Sequence, residues 1–199
     1  KHAEDIITRQ DIVDIIERLK KDFPIVIDEA MKVTSYGSLL KVCKDLLHEK
    51  IPIIDMLTII EAVADIAEFT KVPEILLEHV RAKLYRLITQ KYKDTDGVLH
   101  IITIKPELEQ QFIGKLQEHH GVSQLMISIA EINNLVTKTK KLLDDIEAKG
   151  FSKITMVVDP VLRKRISEIY EKFGLQVSVL SHAELDSKAN FAIEGTLEF

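Results

Sequence analysis

Tryptophan is absent from this 199-residue chain, cysteine occurs once, and glycine and proline number only seven and five. A single cysteine excludes an internal disulfide. Cys43 falls in register with Leu39, Val42, Leu46 and Leu47 on an apolar stripe, which reads as a buried core thiol rather than a nucleophile and suits a reducing compartment. The few glycines are mostly spent on helix stops and turns, and GxGxxG, GxxxxGK, HExxH, CxxC and GxSxG are all missing, so no phosphate cradle or catalytic signature can be assembled. No apolar run approaches the ~18 to 20 residues that a membrane helix needs, and no basic, apolar, small-residue leader opens the chain. Positive charge is not in excess either. The balance of 27 basic against 32 acidic residues, net −5, offers no general attraction to phosphate backbones or anionic lipid and argues against nucleic acid as a partner. The chain opens on Lys1 rather than methionine and is expected to be a soluble piece of something longer.

What is present is enough apolar residue, 46%, for real cores, arranged with helical period in the first half. Thr8 as N-cap with Asp11 three residues on forms a capping-box variant, and Ile12, Ile15, Ile16 and Leu19 share one face of a helix over about Arg9 to Lys21. Pro24 starts a short turn-like or helical segment, and the stretch from Thr34 to Ser38 caps a helix over about 38 to 49. Pro52 precedes a helix with Met56, Ile59, Ile60, Val63 and Ala67 on one face. Pro73 begins another, with Leu76, Val80, Leu84, Leu87 and Ile88. Residues 1 to 90 read as all helical.

The polar stretch Lys91 to Gly97 ends this pattern and marks the expected boundary between a helical subdomain, residues 1–92, and an α/β subdomain, residues 97–199. Val98 to Ile104 is a buried strand stopped by Pro106. Pro106 to His120 reads as helix, as does Ser128 or Ala130 to Lys149, ended by Gly150. Ile154 to Val158 is a strand, and Asp159 with Pro160 opens a helix that Gly174 closes after Phe173. Val177 to Leu180 is a third strand, with Ser181 capping a short helical turn, and Phe191 to Phe199 alternates as a half-buried strand near an edge. Strands alternating with helices make this half α/β, with a mixed sheet. The whole is an α + α/β arrangement.

Candidate functional side chains are few, and no metal, cofactor or catalytic group is expected. His119 and His120, at the end of the expected helix, point about 100° apart and do not chelate one ion easily. Carboxylate pairs such as Asp144 with Asp145, or Glu107 with Glu109, read as solvated faces. Arg163, Lys164 and Arg165 lie in the first two turns of their helix, where positive charge opposes the helix dipole, so local helix stability does not explain them. They are either a solvated basic turn offset by Glu168 and Glu184 or a contact to an acidic partner surface or neighbouring subdomain. Arg81 and Arg86 are open to the same two readings, structural ion pair or partner contact.

Two blocks carry a family resemblance. Leu46, Leu47, Glu49, Ile53, Asp55, Ile59, Glu61, Ala62, Ala64 and Asp65, followed by Leu77, Val80, Arg81, Leu84 and Ile88, match a signature of the FlhA-like export-gate family of flagellar and virulence type III secretion systems. Ile54 departs from it, standing where that family usually has arginine. The second block is MVVDPVLRKRISEIYEKFGLQVSVLSHAEL, Met156 to Leu185. The resemblance covers nearly the whole chain and places it as the last two subdomains of the cytoplasmic region, in the flagellar branch, at the cytoplasmic face of the bacterial inner membrane. It implies membrane helices ahead of the chain, a homo-oligomeric ring, and docking of export chaperone–substrate complexes and the export ATPase complex. It also implies that the chaperone-docking residues lie largely in the preceding subdomains. Two other readings stay open on the residues alone. One is a generic scaffold or adaptor; the other is a small-molecule-binding α/β domain using the carboxyl ends of its strands near Asp159 and Ser181.

Overall fold

A computed structural model describes residues 3–199 and divides them into two compact units, one ending at Leu84 and the other Tyr85–Phe199. In the first unit a single 3-10 turn, Ala3–Asp5, leads into α1 (Arg9–Asp22). The expected capping box forms there: the Asp11 amide donates to Thr8 Oγ1 at 3.3 Å, and the Thr8 amide donates to Asp11 Oδ2 at 2.7 Å. After a fully formed α2 (Pro24–Val33), the Ser35 hydroxyl accepts from the Ser38 amide at 3.1 Å and starts α3 (Tyr36–His48). Asp55 caps α4 (Met56–Ala67) through the Thr58 amide at 3.1 Å, and Pro73 occupies the first position of α5 (Pro73–Lys83). Their apolar faces supply the core, with Ile12, Leu39, Val42, Ile59, Leu76 and Val80 among its buried residues. Cys43 is fully buried there, its Sγ 3.8 Å from Met56 Sδ, and burial pushes its thiol pKa up to about 12.

The helix expected to run on to Ile88 breaks at Leu84, and α6 (Tyr85–Tyr92) belongs with the second unit. Ile88 and Thr89 are buried, and Thr89 Oγ1 accepts from the Asp186 amide at 2.8 Å, which ties α6 to the far end of the chain's own unit. The two units divide after Leu84, ahead of the expected polar stretch, whose Lys91 and Tyr92 end α6 and whose remaining residues form a tight turn before β1 (Val98–Ile104). In that turn Asp94 Oδ1 accepts from the Asp96 and Val98 amides at 2.9 and 2.8 Å.

Beyond β1 the sequence reading needs one correction. Pro106 does open a helix, α7, but it stops at Ile113; Leu116–His119 is strand β2 and Val122–Leu125 is strand β3, an antiparallel hairpin pairing His119 with Val122. The two turn residues, His120 and Gly121, have φ of 53° and 79°, the signs a type I′ turn requires. Helix α8 (Ile129–Glu147) then starts at a second capping box, Ser128 with Glu131. Strand β4 (Ile154–Val158), helix α9 (Pro160–Lys172), strand β5 (Ser178–Ser181), the 3-10 turn His182–Glu184 and strand β6 (Asn190–Leu197) complete the unit.

The four-stranded sheet has the order β5-β4-β1-β6, with every neighbouring pair parallel, while antiparallel pairing is confined to the separate β2–β3 hairpin. One face of this sheet buries Ile102, Ile104, Met156, Val158 and Val179 with Leu135, Leu143 and Ile146 of α8 and Leu162, Ile166 and Tyr170 of α9. The Tyr170 hydroxyl sits inside this core and stays satisfied, 2.8 Å from Thr139 Oγ1 and 3.2 Å from Met156 Sδ; its burial raises its pKa above the usual phenol range. Gly195 allows β6 to approach α8 closely, since a Cβ there would lie 3.2 Å from Leu142 Cδ2.

Candidate functional site

The five basic residues singled out in the sequence do not share one environment. Arg163 follows Leu162 on α9 and precedes Ile166 and Tyr170 at helical spacing, so it lies on the inward side and is only 1% exposed. It is not part of a solvated turn. Lys164 and Arg165 are partly exposed, with Arg165 Nη1 at 3.1 Å from Glu168 Oε2. Glu184, expected to offset the basic turn from the surface, is buried and accepts from the Ser181 amide at 3.0 Å as part of a capping box.

Arg81 is likewise 1% exposed and places Nη1 2.6 Å from Glu49 Oε2, a buried ion pair between α5 and the end of α3. Glu49 and Arg81 belong to the two halves of the first motif block. The structure thus gives these two matching positions a packing reason, and a guanidinium so enclosed presents no surface to a partner. Arg86 is exposed. Its guanidinium lies 5.5 Å from the Tyr85 ring centre, and it lines a hollow of about 310 Å³ with Tyr85, Leu185, Asp186 and Lys188.

A second surface feature lies in the helical unit. A groove of about 590 Å³ between α2 and α4 has Ala30, Val33 and Ala62 in its lining and carries Glu29, Glu61, Asp65 and Glu68. Lys83 also lines it and reaches Asp65 Oδ2 at 3.6 Å. The spacing of Glu61, Asp65 and Glu68, four and three residues apart, is an acidic stripe legible in the sequence.

The groups considered for a ligand at the strand ends are occupied locally. Asp159 Oδ1 accepts from the Val161 amide at 3.0 Å as the cap of α9, and Ser181 is buried. His119 and His120 lie at the tip of a hairpin rather than in the last turn of a helix, and among the described residues no cluster of His, Cys, Asp or Glu is placed to hold a metal ion. The sequence reading missed His100, which sits between Asp94 and Glu194 with both ring nitrogens engaged at 2.7 Å. A lone histidine inside the apolar run Val98 to Ile104 was the available signal.

Comparison with known proteins fixes the family. Residues 1–190 match the FHIPEP family, which is most of the chain. The chain belongs to the FHIPEP family. Among family relatives, the flagellar biosynthesis protein FlhA of Helicobacter pylori is 39% identical over 198 residues, 99% of this chain and 27% of the relative. The chain thus spans about a quarter of the length of that relative. The fold is shared with the nonameric EscV cytosolic domain from the type III secretion system, at TM-score 0.82 and 20% identity, over 99% of this chain and 58% of that one. It is also shared with the Chlamydia pneumoniae CdsV protein in its complex with CdsO, at TM-score 0.84 and 19% identity, over 98% of this chain and 57% of that one. Among the described residues of this FHIPEP chain, no helix is long and apolar enough to cross a membrane.

Proposed function

We propose that this FHIPEP chain forms part of the cytoplasmic region of a flagellar protein export gate, at the inner face of the bacterial inner membrane, and works by assembly and partner contact rather than by catalysis. The observation that carries this reading is the 39% identity to a flagellar biosynthesis protein along 99% of the chain. A ring of copies is supported by the nonameric state of the EscV neighbour, and contact with a second protein by the CdsV–CdsO pairing, each a property of those proteins; the export ATPase complex is the partner we propose for such a contact. Export chaperone–substrate complexes are the further partners of the assembled gate.

Within the chain, we assign contact with an acidic partner surface to Arg86 on α6 and to Lys164, followed by Arg165, on α9. Reversing charge with Lys164→Glu and Arg86→Glu in the full-length protein tests the assignment. The double variant is expected to keep its fold, because exposed charge changes usually shift stability by under ~0.5 kcal/mol. It should lower secretion of flagellar substrates and motility several-fold. A folded variant with wild-type secretion overturns the surface assignment. Wild-type secretion by a protein lacking residues 1–199 altogether overturns the export reading itself.

A further inference from the structure

Both ring nitrogens of His100 meet a carboxylate. Nδ1 lies 2.7 Å from Glu194 Oε1 and Nε2 lies 2.7 Å from Asp94 Oδ2. The residue is 8% exposed, and its ring stacks on Phe151 with centres 4.5 Å apart. Three segments distant in sequence therefore converge on one imidazole: the turn before β1, the edge strand β6, and the loop between α8 and β4.

The placement of Glu194 depends on an irregularity in the sheet. Ile101 pairs with Ile193 and Ile102 with Gly195, so Glu194 is the extra residue of a β-bulge. A bulge re-aims a side chain. Here it turns a carboxylate of the edge strand onto a histidine of the strand beside it. Asp94 is held by its own turn, where its other oxygen accepts the Asp96 and Val98 amides.

We propose that His100 is a proton-operated clasp: the doubly protonated ring ties the edge strand β6 to the turn before β1, and loss of one proton to solvent releases one of the two ties. Carboxylates are acceptors only, and a neutral imidazole has a single N–H. One of the two 2.7 Å contacts then becomes acceptor against acceptor, and the edge strand or the turn moves away. The charged groups on the ring are Glu194 on β6 and Asp94 in the turn; Lys93 and Asp96 belong to the same turn, and Lys153 ahead of β4 donates from Nζ to the Lys93 carbonyl at 3.0 Å. The two bonded carboxylates dominate. Glu194 above all, then Asp94, raise the pKa of His100 above its ordinary value, against an opposing contribution from burial.

A raised histidine pKa in the folded state means that the clasp stabilises fully below the unfolded value of ~6.5 and fades as pH rises through the folded midpoint. The experiment is a pH titration of the full chain, with the His100 ring followed by NMR and the amides from Ala192 to Gly195 followed by hydrogen exchange corrected for intrinsic rate. His100 is expected to titrate above ~6.5, and protection in β6 to fall by up to about tenfold per pH unit between that value and the folded midpoint. Glu194→Gln should lower the midpoint, and His100→Gln should abolish the pH response of β6. A His100 midpoint at or below ~6.5 in the unaltered chain overturns the clasp, as does an unchanged pH response in a folded His100→Gln variant.

Discussion

A guanidinium withdrawn from water needs its countercharge close by, because its desolvation costs several kcal/mol. Arg81 meets this condition through Glu49, with side-chain exposures of 2% and 9% for the pair. Removing one partner leaves the other charged and enclosed, so Glu49→Ala is expected to lower the unfolding free energy by about 3 kcal/mol, read from urea denaturation. The double replacement Arg81→Met with Glu49→Leu leaves no uncompensated charge and should recover most of that loss. A double variant as unstable as the single one would show that Arg81 is held by packing independent of the pair. At this scale the sequence carried the residues but not their surroundings. Arg81 and Arg163 each stand three residues before an apolar one, Leu84 and Ile166, which places them on the inward side, yet nothing in one chain says that for Arg81 a countercharge 32 residues away closes the site.

Among the elements, those with chemical punctuation were legible. Thr8, Ser35, Asp55, Ser128 and Asp159 each stand as the N-cap that their residue type predicts, and Pro24, Pro73, Pro106 and Pro160 each occupy a first helical position. The hairpin was not legible, because Leu116–His119 and Val122–Leu125 are four residues each, mostly polar and half exposed, and carry no apolar alternation strong enough to outweigh the helical start at Pro106. The signal that existed was Gly121 after His120, a two-residue turn dominated by its backbone requirement. With φ of 79° at Gly121, Gly121→Val forces a β-branched side chain into the left-handed region and is expected to cost about 1 to 2 kcal/mol in thermal or urea unfolding. His120→Asn, which tolerates that region, should be neutral or mildly stabilising. Equal losses from both substitutions would contradict a type I′ turn. The break between α5 and α6 escaped the sequence for a related reason. Leu84, Leu87 and Ile88 keep helical period across it, so the interruption leaves no mark in the pattern.

For the molecule as a whole, net charge of −5 says little about where stability is greatest, because pH dependence follows the groups whose pKa differs between folded and unfolded chain. Glu131 is one acidic contributor. The Lys115 ammonium bonded to it, followed by the Ser128 amide and hydroxyl, holds its pKa down at about 2 against an ordinary 4.5. Asp94 is lowered too, first by the Val98 amide and then by His100, and Asp11 by Thr8. A depressed carboxylate stabilises above its unfolded value and loses that contribution as pH falls through the folded one. Stability should therefore decline progressively below about 4.5. Glu109, raised chiefly by burial, works in the opposite sense over the carboxylate range. His100, raised, places the alkaline decline above ~6.5. Thermal midpoints measured across pH should accordingly form a plateau between these limits, with the isoelectric point near 5.8 inside it. Glu131→Gln keeps a side chain able to complete the capping box at Ser128 while removing the charge, so it should flatten the acid side and leave the alkaline side unchanged. An acid limb equally steep in that variant would transfer the effect to Asp94 and Asp11, and midpoints that keep rising or falling steeply between about 4.5 and ~6.5 would reject control by these individual groups.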